Sequence, residues 1–448
     1  MNTKRITTKT LIYMAFSLYV SCIVLLKVGV NTLFSILALL IASTLVFDAR
    51  YSFFVLVQLY LLRRYVIIND TYASTIYSLE ILIAVIFRFV TEKKPMKIPH
   101  TLVFFISSVV SADLTAVFMD MSQGYKMGDG MKELLFHLVF IVISVDVLSN
   151  SEGKSIFSAD YNTKHARVCS LFLPMIVMML FYVLNVPLLQ RAIYLSDIIA
   201  TTTTSYTRVD PNFLSADLII LSSMIMRRDR KEYITFLALF FFFNIFYLFS
   251  VTGFVLLFVS LYFIIRDQKK AIRRLLLEIT LFICVVLIIF AIWNIKYASQ
   301  EVTTGNTQNG IANFILTGRV KTWRAYLLSI ADAPLFGHGN NTWRYVSRYL
   351  GFNHLAHNSF LQNFANYGIL YSVSIYSIII GSSLCKREKS LFRIFLLWFL
   401  SSLVLSYWGE FPDLLYSIYI ILGGGAYMQD VNALYSNPHS RAVYGPER

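Results

Sequence analysis

The chain has 448 residues, of which 57% are hydrophobic and only 14% are charged, and its mean hydropathy is +0.64. This composition excludes a soluble globular domain and is typical of a polytopic membrane protein. The net charge of +14 arises mostly in short connections between apolar segments, so it indicates membrane topology and no nucleic-acid partner. The cysteines, which have no paired spacing and predict neither a disulfide framework nor a zinc site, are Cys22, Cys169, Cys284 and Cys385.

The apolar segments predict an all-α fold of about 14 transmembrane helices, because a helix needs about 20 apolar residues to cross a bilayer. Alternation from a cytoplasmic N-terminus places every strongly basic connection except one long loop on the cytoplasmic side. We therefore predict one membrane domain over 1–448, with a cytoplasmic tail over 429–448. The candidate spans, some of them short, are 10–26, 31–47, 51–68, 73–90, 101–119, 133–149, 168–186, 212–226, 233–249, 252–265, 275–295, 358–384, 391–408 and 413–428.

Several acidic residues lie in or near these spans. Each is costly in a bilayer and is therefore a functional candidate by default, but a position at a helix end or pairing inside the helix bundle is the more frequent explanation, and we favour it here. These residues are Glu80, Asp113, Asp146, Asp217 and Glu278.

The long loop over 296–357 is polar and cationic, although the alternation of spans places it outside the cytoplasm. The positive-inside rule disfavours clustered cations on that side, so we expect them to bind an anionic ligand. The cations are Lys296, Arg319, Lys321, Arg324, Arg344 and Arg348, against the acids Glu301 and Asp332.

A helix is predicted in this loop from Gly318 to Pro334, where proline ends it. Its apolar face is expected to contain Val320, Trp323, Leu327 and Ile330, which leaves Arg319, Lys321 and Arg324 mainly on other faces.

The next segment, Gly337-His338-Gly339-Asn340, predicts a flexible turn. Its glycines would let the backbone approach a substrate closely, and Asn340 and Asn341 would offer donors and acceptors to sugar hydroxyls.

A second amphipathic stretch follows, with Arg344 and Arg348 four residues apart on one face. Two guanidinium groups at this spacing can bind successive phosphate oxygens bidentately. The alternative is an interfacial helix that lies on lipid headgroups, and the sequence leaves both interpretations open.

Another exterior connection, over 187–212, carries Arg191 and Arg208 on either side of a run of Thr, Ser and Tyr. It is interpreted either as a ligand contact or as a solvated turn, since hydroxyl side chains satisfy turn backbone without a ligand.

His357 and Asn358 open the next apolar span, and Gln362 lies one turn later. A histidine with a pKa near 6.5 can accept a proton from an attacking hydroxyl close to neutral pH. Taken alone, such a histidine is more often a capping or interface residue. The arginine-rich loop immediately upstream favours a general base.

The order His357-Asn358, Gly368 and Tyr371 resembles the signature of the O-antigen ligase and polymerase superfamily. Three further segments look like parts of the same family, and the resemblance covers about the C-terminal half of the chain. They are Gly318-Arg319 with Trp323, the turn over 334–339, and Asp210-Pro211-Asn212 with Ala216.

One departure concerns residues 250–253, which read Ser-Val-Thr-Gly where relatives often carry Ser-Arg-Gly at an exterior helix start. The expected phosphate-binding arginine is absent there, so we consider Arg191 or Arg208 as its replacement.

The resemblance implies a GT-C-like enzyme of the bacterial inner membrane that transfers a glycan from an undecaprenyl-diphosphate carrier at the periplasmic face. On this basis 296–357 is the catalytic loop, with His357 and Arg319 as catalytic residues. No metal or other cofactor is expected, because the loop has no paired carboxylates. The predicted substrate-binding residues are Arg324, His338, Asn340, Arg344, Asn358, Gln362, Arg191 and Arg208.

Among the activities that the resemblance implies, we favour a polymerase, for which a lipid-linked glycan is both donor and acceptor. A ligase, whose acceptor is the lipid A core, is the nearest alternative. A flippase for lipid-linked oligosaccharides is the alternative from another class. A flippase should show pseudo-repeats with broken helices and charges at mid-membrane, whereas here the polar residues gather in one exterior loop. A chain-length regulator and a flippase are the expected protein partners.

Overall fold

The computed structural model describes residues 98–149, 175, 179, 211–225, 230–248, 250–266, 319–351, 355–384, 389–405 and 413–422. These residues form helices and contain no strand, in agreement with the predicted all-α class. We number the helices α1 His100–Ser122, α2 Met127–Ser149, α3 Pro211–Ile225, α4 Arg230–Phe243 with a π-helical continuation Asn244–Leu248, α5 Val251–Arg266, α6 Arg319–Asp332, α7 Thr342–Leu350, α8 Ser359–Leu384, α9 Lys389–Val404 and α10 Asp413–Leu422.

Two helices, α1 and α8, are long and apolar enough to cross a membrane. They coincide with the predicted spans 101–119 and 358–384. Shorter apolar helices, α2 to α5, α9 and α10, lie at six further predicted spans. The predicted spans 10–26, 31–47, 51–68, 73–90 and 275–295, and 168–186 apart from Met175 and Met179, lie outside the described residues, so the number of 14 stays a prediction.

Helices α1 and α8 pack against each other in antiparallel orientation. The hydroxyl groups of Ser108 and Ser374 are 2.9 Å apart. Nearer the C-terminus of α1, Thr115 donates a hydrogen bond to the hydroxyl of Tyr371 at 3.1 Å. From the first of these two contacts to the second, the residue number rises on α1 and falls on α8. The C-terminus of α1 therefore lies at the same end of the bundle as the N-terminus of α8.

Polar pairs between helices lie inside the apolar core. His137 Nδ1 on α2 is 2.7 Å from Asp113 Oδ2 on α1, and both side chains are almost fully buried. Tyr416 on α10 donates to Asp217 on α3 at 3.1 Å. The preferred interpretation of Asp113 and Asp217, pairing within the bundle, is therefore confirmed. Nothing is described for the side chain of Asp146, and Glu80 and Glu278 lie outside the described residues.

Candidate functional site

The cationic loop contains two helices, α6 and α7, joined by a turn over 333–341. As predicted, the first helix ends just before Pro334. The packed face of α6 agrees with the predicted one only in part, because Trp323 and Ile330 are partly buried but Leu327 is not. Leu327 was expected on the apolar face and is 56% exposed. The buried residues of α6 are Thr322, Ala325, Tyr326 and Ser329, which lie against α8 and α7 because small and hydrogen-bonding side chains permit close helix packing there.

The turn pairs with a break in α8. At Gly368 the backbone leaves helical geometry, with φ 74° and ψ 177°. The amides of His338 and Gly339 donate to the carbonyls of Ala365 and Asn366 at 2.8 and 3.0 Å. In return, the amide of Ile369 donates to the carbonyl of Pro334 at 2.7 Å. The turn thus satisfies backbone groups on both sides of the break, which would otherwise be costly inside the protein.

Glycines in this turn allow contact between two segments of the protein. Gly337 and Gly339 both have positive φ, at 69° and 86°. A Cβ at Gly337 would lie 2.7 Å from the carbonyl oxygen of Ala365, and one at Gly339 would lie 2.5 Å from Asp120 Oδ1. Within the protein, these glycines permit close approach to α8 and α1, and the predicted approach of the turn to a substrate stays a prediction.

His338 is buried in the same contact. Its Nε2 lies 2.9 Å from the carbonyl oxygen of Ser329, so Nε2 carries the hydrogen and donates it. Its ring stacks on Tyr345 with 3.7 Å between centroids. Burial lowers the pKa of His338, which keeps the imidazole neutral. These contacts give His338 a role in joining α6 to α7, and its predicted contact with substrate stays a prediction.

The outward face of α7 carries Arg344 and Arg348, both exposed as the spacing predicts. The guanidinium of Arg344 lies over the rings of Tyr125 and Trp343, at 5.2 and 4.8 Å from their centroids. Arg348 lies 4.9 Å from the centroid of Tyr345. Aromatic faces attract guanidinium groups and leave their N–H edges available for an anion.

Asp332, at the end of α6, accepts hydrogen bonds from the hydroxyls of Tyr349 and Tyr345. These two bonds hold the pKa of the Asp332 carboxyl below its usual value and raise the pKa of Tyr349. The exposed carboxylate therefore stays ionised and orients the tyrosine rings along α7.

His357 has the only positive φ of any non-glycine residue in the described part of the chain, at 49°. Both backbone groups of the neighbouring residue Ala356 are hydrogen-bonded. Its carbonyl accepts from Trp323 Nε1 at 2.9 Å, and its amide donates to Gln362 Oε1 at 3.0 Å. A non-glycine residue in this conformation costs on the order of 1 to 3 kcal/mol and persists where the surroundings determine it, often at functional sites. His357 itself is partly exposed.

Asn358 and Gln362 secure the start of α8. Asn358 Oδ1 accepts the amide of Leu361 at 3.0 Å, which is an N-terminal cap, and its Nδ2 donates to the carbonyl of Leu403 at 2.9 Å. Gln362 Nε2 donates to Asn366 Oδ1 at 3.0 Å. Both side chains are thus engaged by the protein, and a direct contact with substrate stays a prediction for each.

The other predicted site residues are placed as follows. Arg319 is the first residue of α6, and Arg324 is exposed on the same helix. The amide of Asn340 bonds to Asp120, and no partner is found for its side-chain atoms in the described structure. Arg191 and Arg208 lie outside the described residues.

The Ser-Val-Thr-Gly segment over 250–253 is also described. Ser250 caps α5, because its Oγ accepts the amide of Gly253 at 3.0 Å, and the same hydroxyl donates to Asn212 Oδ1 at 2.8 Å. Asn244, in the π-helical turn, accepts the Ser250 amide at 3.1 Å and donates to its carbonyl at 3.0 Å. The start of α5 is therefore joined to the start of α3 by uncharged groups.

Residues from the end of α1 complete the site, and the sequence interpretation did not include them. Asp120, Gln123 and Tyr125 all contact the turn or α7. Nothing local in the sequence around them indicates these contacts, because the partners lie more than 200 residues away along the chain, with a separation of 220 for Asp120 and Asn340.

The comparison with known families concerns this same region. A family model described as O-antigen ligase matches residues 236–376. These residues belong to the O-antigen ligase and polymerase superfamily. The match begins in α4 and ends in α8, so it includes α6, the turn, α7 and His357, but covers less than half of the chain. No curated protein and no solved structure matches the chain.

Proposed function

We propose that the protein is a membrane glycosyltransferase that polymerises a surface polysaccharide such as O-antigen. It would transfer a glycan from an undecaprenyl-diphosphate carrier to the acceptor sugar of another lipid-linked repeat unit. The observation that carries the proposal is the position of His357: it is held at positive φ within the family-matched segment, at the N-terminus of an apolar helix and directly after the arginine-bearing α6 and α7.

The proposed reaction uses His357 as general base. An acceptor hydroxyl oxygen attacks the anomeric carbon of the donor glycan, its proton moves to the imidazole, and the bond between that carbon and the diphosphate oxygen breaks. General base catalysis of this kind typically contributes about a hundred- to ten-thousand-fold. The packing of Ala356 through Trp323 and Gln362 supports this role, since a base acts efficiently only in a fixed orientation.

The departing diphosphate gains negative charge, and we assign its stabilisation to arginines of the loop. Arg319 begins α6, and the partial positive charge of the helix N-terminus adds to the charge of the Arg319 guanidinium. Arg324 and Arg344 are exposed on α6 and α7 and are the other cations that we assign to this role. Groups fixed before the reaction stabilise developing charge more than ground-state charge. A divalent metal is not required by this scheme.

In the proposed arrangement the protein lies in the bacterial inner membrane, and the loop faces the periplasm. The antiparallel packing of α1 and α8 supports a common side for the loop and the end of α1. At the other end, each helix adjoins a basic sequence, Lys93 to Lys97 before α1 and Lys386 to Lys389 after α8, as expected of a cytoplasmic side. The polyprenyl tail of the carrier would lie between spans, with a chain-length regulator and a flippase as partners.

A ligase is the second candidate, because the printed description of the matched family is O-antigen ligase. The two activities share donor and chemistry and differ in the acceptor, which for a ligase is the lipid A core.

Deletion of the gene distinguishes these functions through the lipopolysaccharide pattern. A polymerase deletion should leave a single repeat unit on the lipid A core. A ligase deletion should leave polymer on the carrier and none on the core. Loss of all periplasmic intermediates would identify a flippase and overturn the proposal.

A further inference from the structure

A buried carboxylate on α1 holds the N-terminus of α7. Asp120 is only 2% exposed. Its Oδ2 accepts the amide of Asn340 and its Oδ1 accepts the amide of Asn341, each at 3.2 Å. Asn341 is the N-terminal cap residue of α7, but its side chain makes no capping hydrogen bond, and the first turn of α7 contains no acidic residue. Asp120 therefore supplies from another helix the negative charge that favours a helix N-terminus.

The surrounding contacts show a tight fit between α1 and the turn. At Gly339 any Cβ would lie 2.5 Å from Asp120 Oδ1 and 2.8 Å from the carbonyl oxygen of Ala116. Gln123, just after α1, donates to the carbonyl of His338 at 2.8 Å. A residue larger than glycine at 339 would therefore prevent this close contact between Asp120 and the turn.

The segment that follows α1 also contacts Arg344 on α7. The amide of Tyr125 donates back to the carbonyl of Asp120 at 3.0 Å, which folds the chain after α1 toward its end. The Tyr125 ring then lies 5.2 Å from the Arg344 guanidinium carbon. Arg344 is in the first turn of α7, close enough to Asp120 for a Coulombic attraction but without an ion pair to a described carboxylate. Its charge therefore stays available for a ligand while its position follows Asp120 and Tyr125.

We propose that Asp120 is a positioning residue for glycan transfer: through the amides of Asn340 and Asn341 it sets where α7 presents Arg344 to the substrate diphosphate. The proposal rests on the function proposed above for the loop. Asp120 lies outside the family-matched segment of 236–376, so the match does not assign it.

The first experiment does not depend on activity. Hydrogen exchange is measured on the full-length protein in lipid nanodiscs, for wild type, Asp120→Asn and Asp120→Ala. Ser122→Ala is the matched control, because Ser122 is exposed at the same helix end and its hydroxyl bonds only to Met119 in its own helix. Amides over 339–344 should exchange about tenfold to a hundredfold faster in both Asp120 variants and remain unchanged in the control, since hydrogen bonds to a charged group are lost.

The second experiment separates positioning from general support of the fold. Transfer kinetics are measured with a defined lipid-diphosphate donor for Asp120→Asn, Arg344→Ala and the double variant. If Asp120 acts through Arg344, Asp120→Asn should lower kcat/KM about tenfold in the wild-type background and by less than about twofold when Arg344 is already alanine. Equal losses in both backgrounds would overturn the proposal.

The two experiments fail in different ways. Faster exchange in the Asp120 variants, together with no transfer by the wild-type protein, would support the anchoring of α7 by Asp120 and reject the proposed enzymatic function. Unaltered exchange in the Asp120 variants would reject the positioning role whatever the activity. If neither Asp120 variant yields folded protein, Asp120 supports the whole bundle, and the proposed local role is overturned.

Discussion

Pro334 and Ile369 are joined by a backbone hydrogen bond of 2.7 Å, in which Ile369 donates. In an uninterrupted helix the same amide would bond to Ala365. Ala365 instead accepts from His338, so the turn after α6 replaces the helix's own hydrogen bonds at the break. The geometry of the loop and the geometry of α8 are therefore one structural feature, and a change in either should disturb both.

The substitution Gly368→Ala tests this dependence. Gly368 has φ 74°, and a Cβ there would overlap the carbonyl of Leu335. We expect a loss of about 3 kcal/mol or more in stability, because both the backbone conformation and the contact become unfavourable. The thermal unfolding midpoint in detergent measures the effect. Gly381→Ala, in the same helix with no atom within 4 Å of its Cβ, should be neutral or slightly stabilising. Equal midpoints for the two variants would contradict the interpretation.

The sequence predicted the extent of α8 but not its break. The span 358–384 agrees with Ser359–Leu384, because apolar length alone determines such a segment. Gly368 was recognised only as part of a family signature. Its conformation depends on contact with Leu335 and Phe336, which lie more than thirty residues earlier in the numbering, and no local pattern reports such a contact.

For the loop, the sequence predicted the helices and the exposed arginines but not the whole of the packed face of α6. Helices α6 and α7 and the exposure of Arg344 and Arg348 follow from spacing. The packed face of α6 does not, because Thr322 and Ser329 are buried in preference to Leu327. Periodicity identifies the most apolar face, whereas close packing at a helix contact selects small side chains. The contacts of Asp120 could not be found from the sequence, since its partners Asn340 and Asn341 are 220 and 221 residues away along the chain.

The proposed base is tested by His357→Asn. Asparagine tolerates positive φ better than alanine, so this variant removes the imidazole while the backbone conformation at 357 is retained. Transfer should fall by about a hundred- to ten-thousand-fold. His100→Asn is the control, because His100 is exposed at the start of α1, at the opposite end of that helix from Asp120. Near-normal polymer length and amount in His357→Asn, with normal membrane insertion, would remove His357 from the mechanism.

The packing of the loop should weaken at low pH through His338. Burial lowers the pKa of His338 in the folded protein below its ordinary value of 6.5. Between the folded and the ordinary pKa the unfolded loop binds more protons, so stability is complete above about pH 6.5 and falls as the pH decreases. The loss approaches about tenfold per pH unit in the equilibrium for opening.

Hydrogen exchange over 333–350 between pH 5 and 8 measures this dependence, after correction for intrinsic exchange. His338→Gln supplies a neutral donor that does not titrate, so its exchange should show a weaker dependence on pH. Identical profiles for wild type and His338→Gln would assign the pH dependence to another group.

The predicted orientation is tested with reporters fused after Gln308 and after Lys270. The charge distribution assigns these positions to opposite sides, with the loop outside and the basic connection over 266–274 inside. A periplasm-dependent reporter should therefore be active only at Gln308, and a cytoplasm-dependent reporter only at Lys270. The reverse pattern would invalidate both the orientation and a periplasmic reaction.

The last prediction separates charge from geometry at the arginines. A lysine keeps the charge but lacks the planar fork that binds two phosphate oxygens. If Arg319 at the start of α6 holds the leaving diphosphate bidentately, Arg319→Lys should lose about tenfold or more in kcat. Arg348 is exposed and stacks on Tyr345, and if it faces lipid headgroups Arg348→Lys should have a mild effect, since a point charge is sufficient there.

Transfer by the purified variants, with a defined lipid-diphosphate donor and product counted by length, distinguishes these cases. Arg324→Lys is the comparison within the same helix, because Arg324 is exposed on α6 but lies away from its N-terminus. It should be affected less than Arg319→Lys if the helix N-terminus and the fork act together on the diphosphate. Full activity of both Arg319→Lys and Arg319→Ala would mean that the diphosphate is bound elsewhere, with Arg191 and Arg208 as the next residues to test.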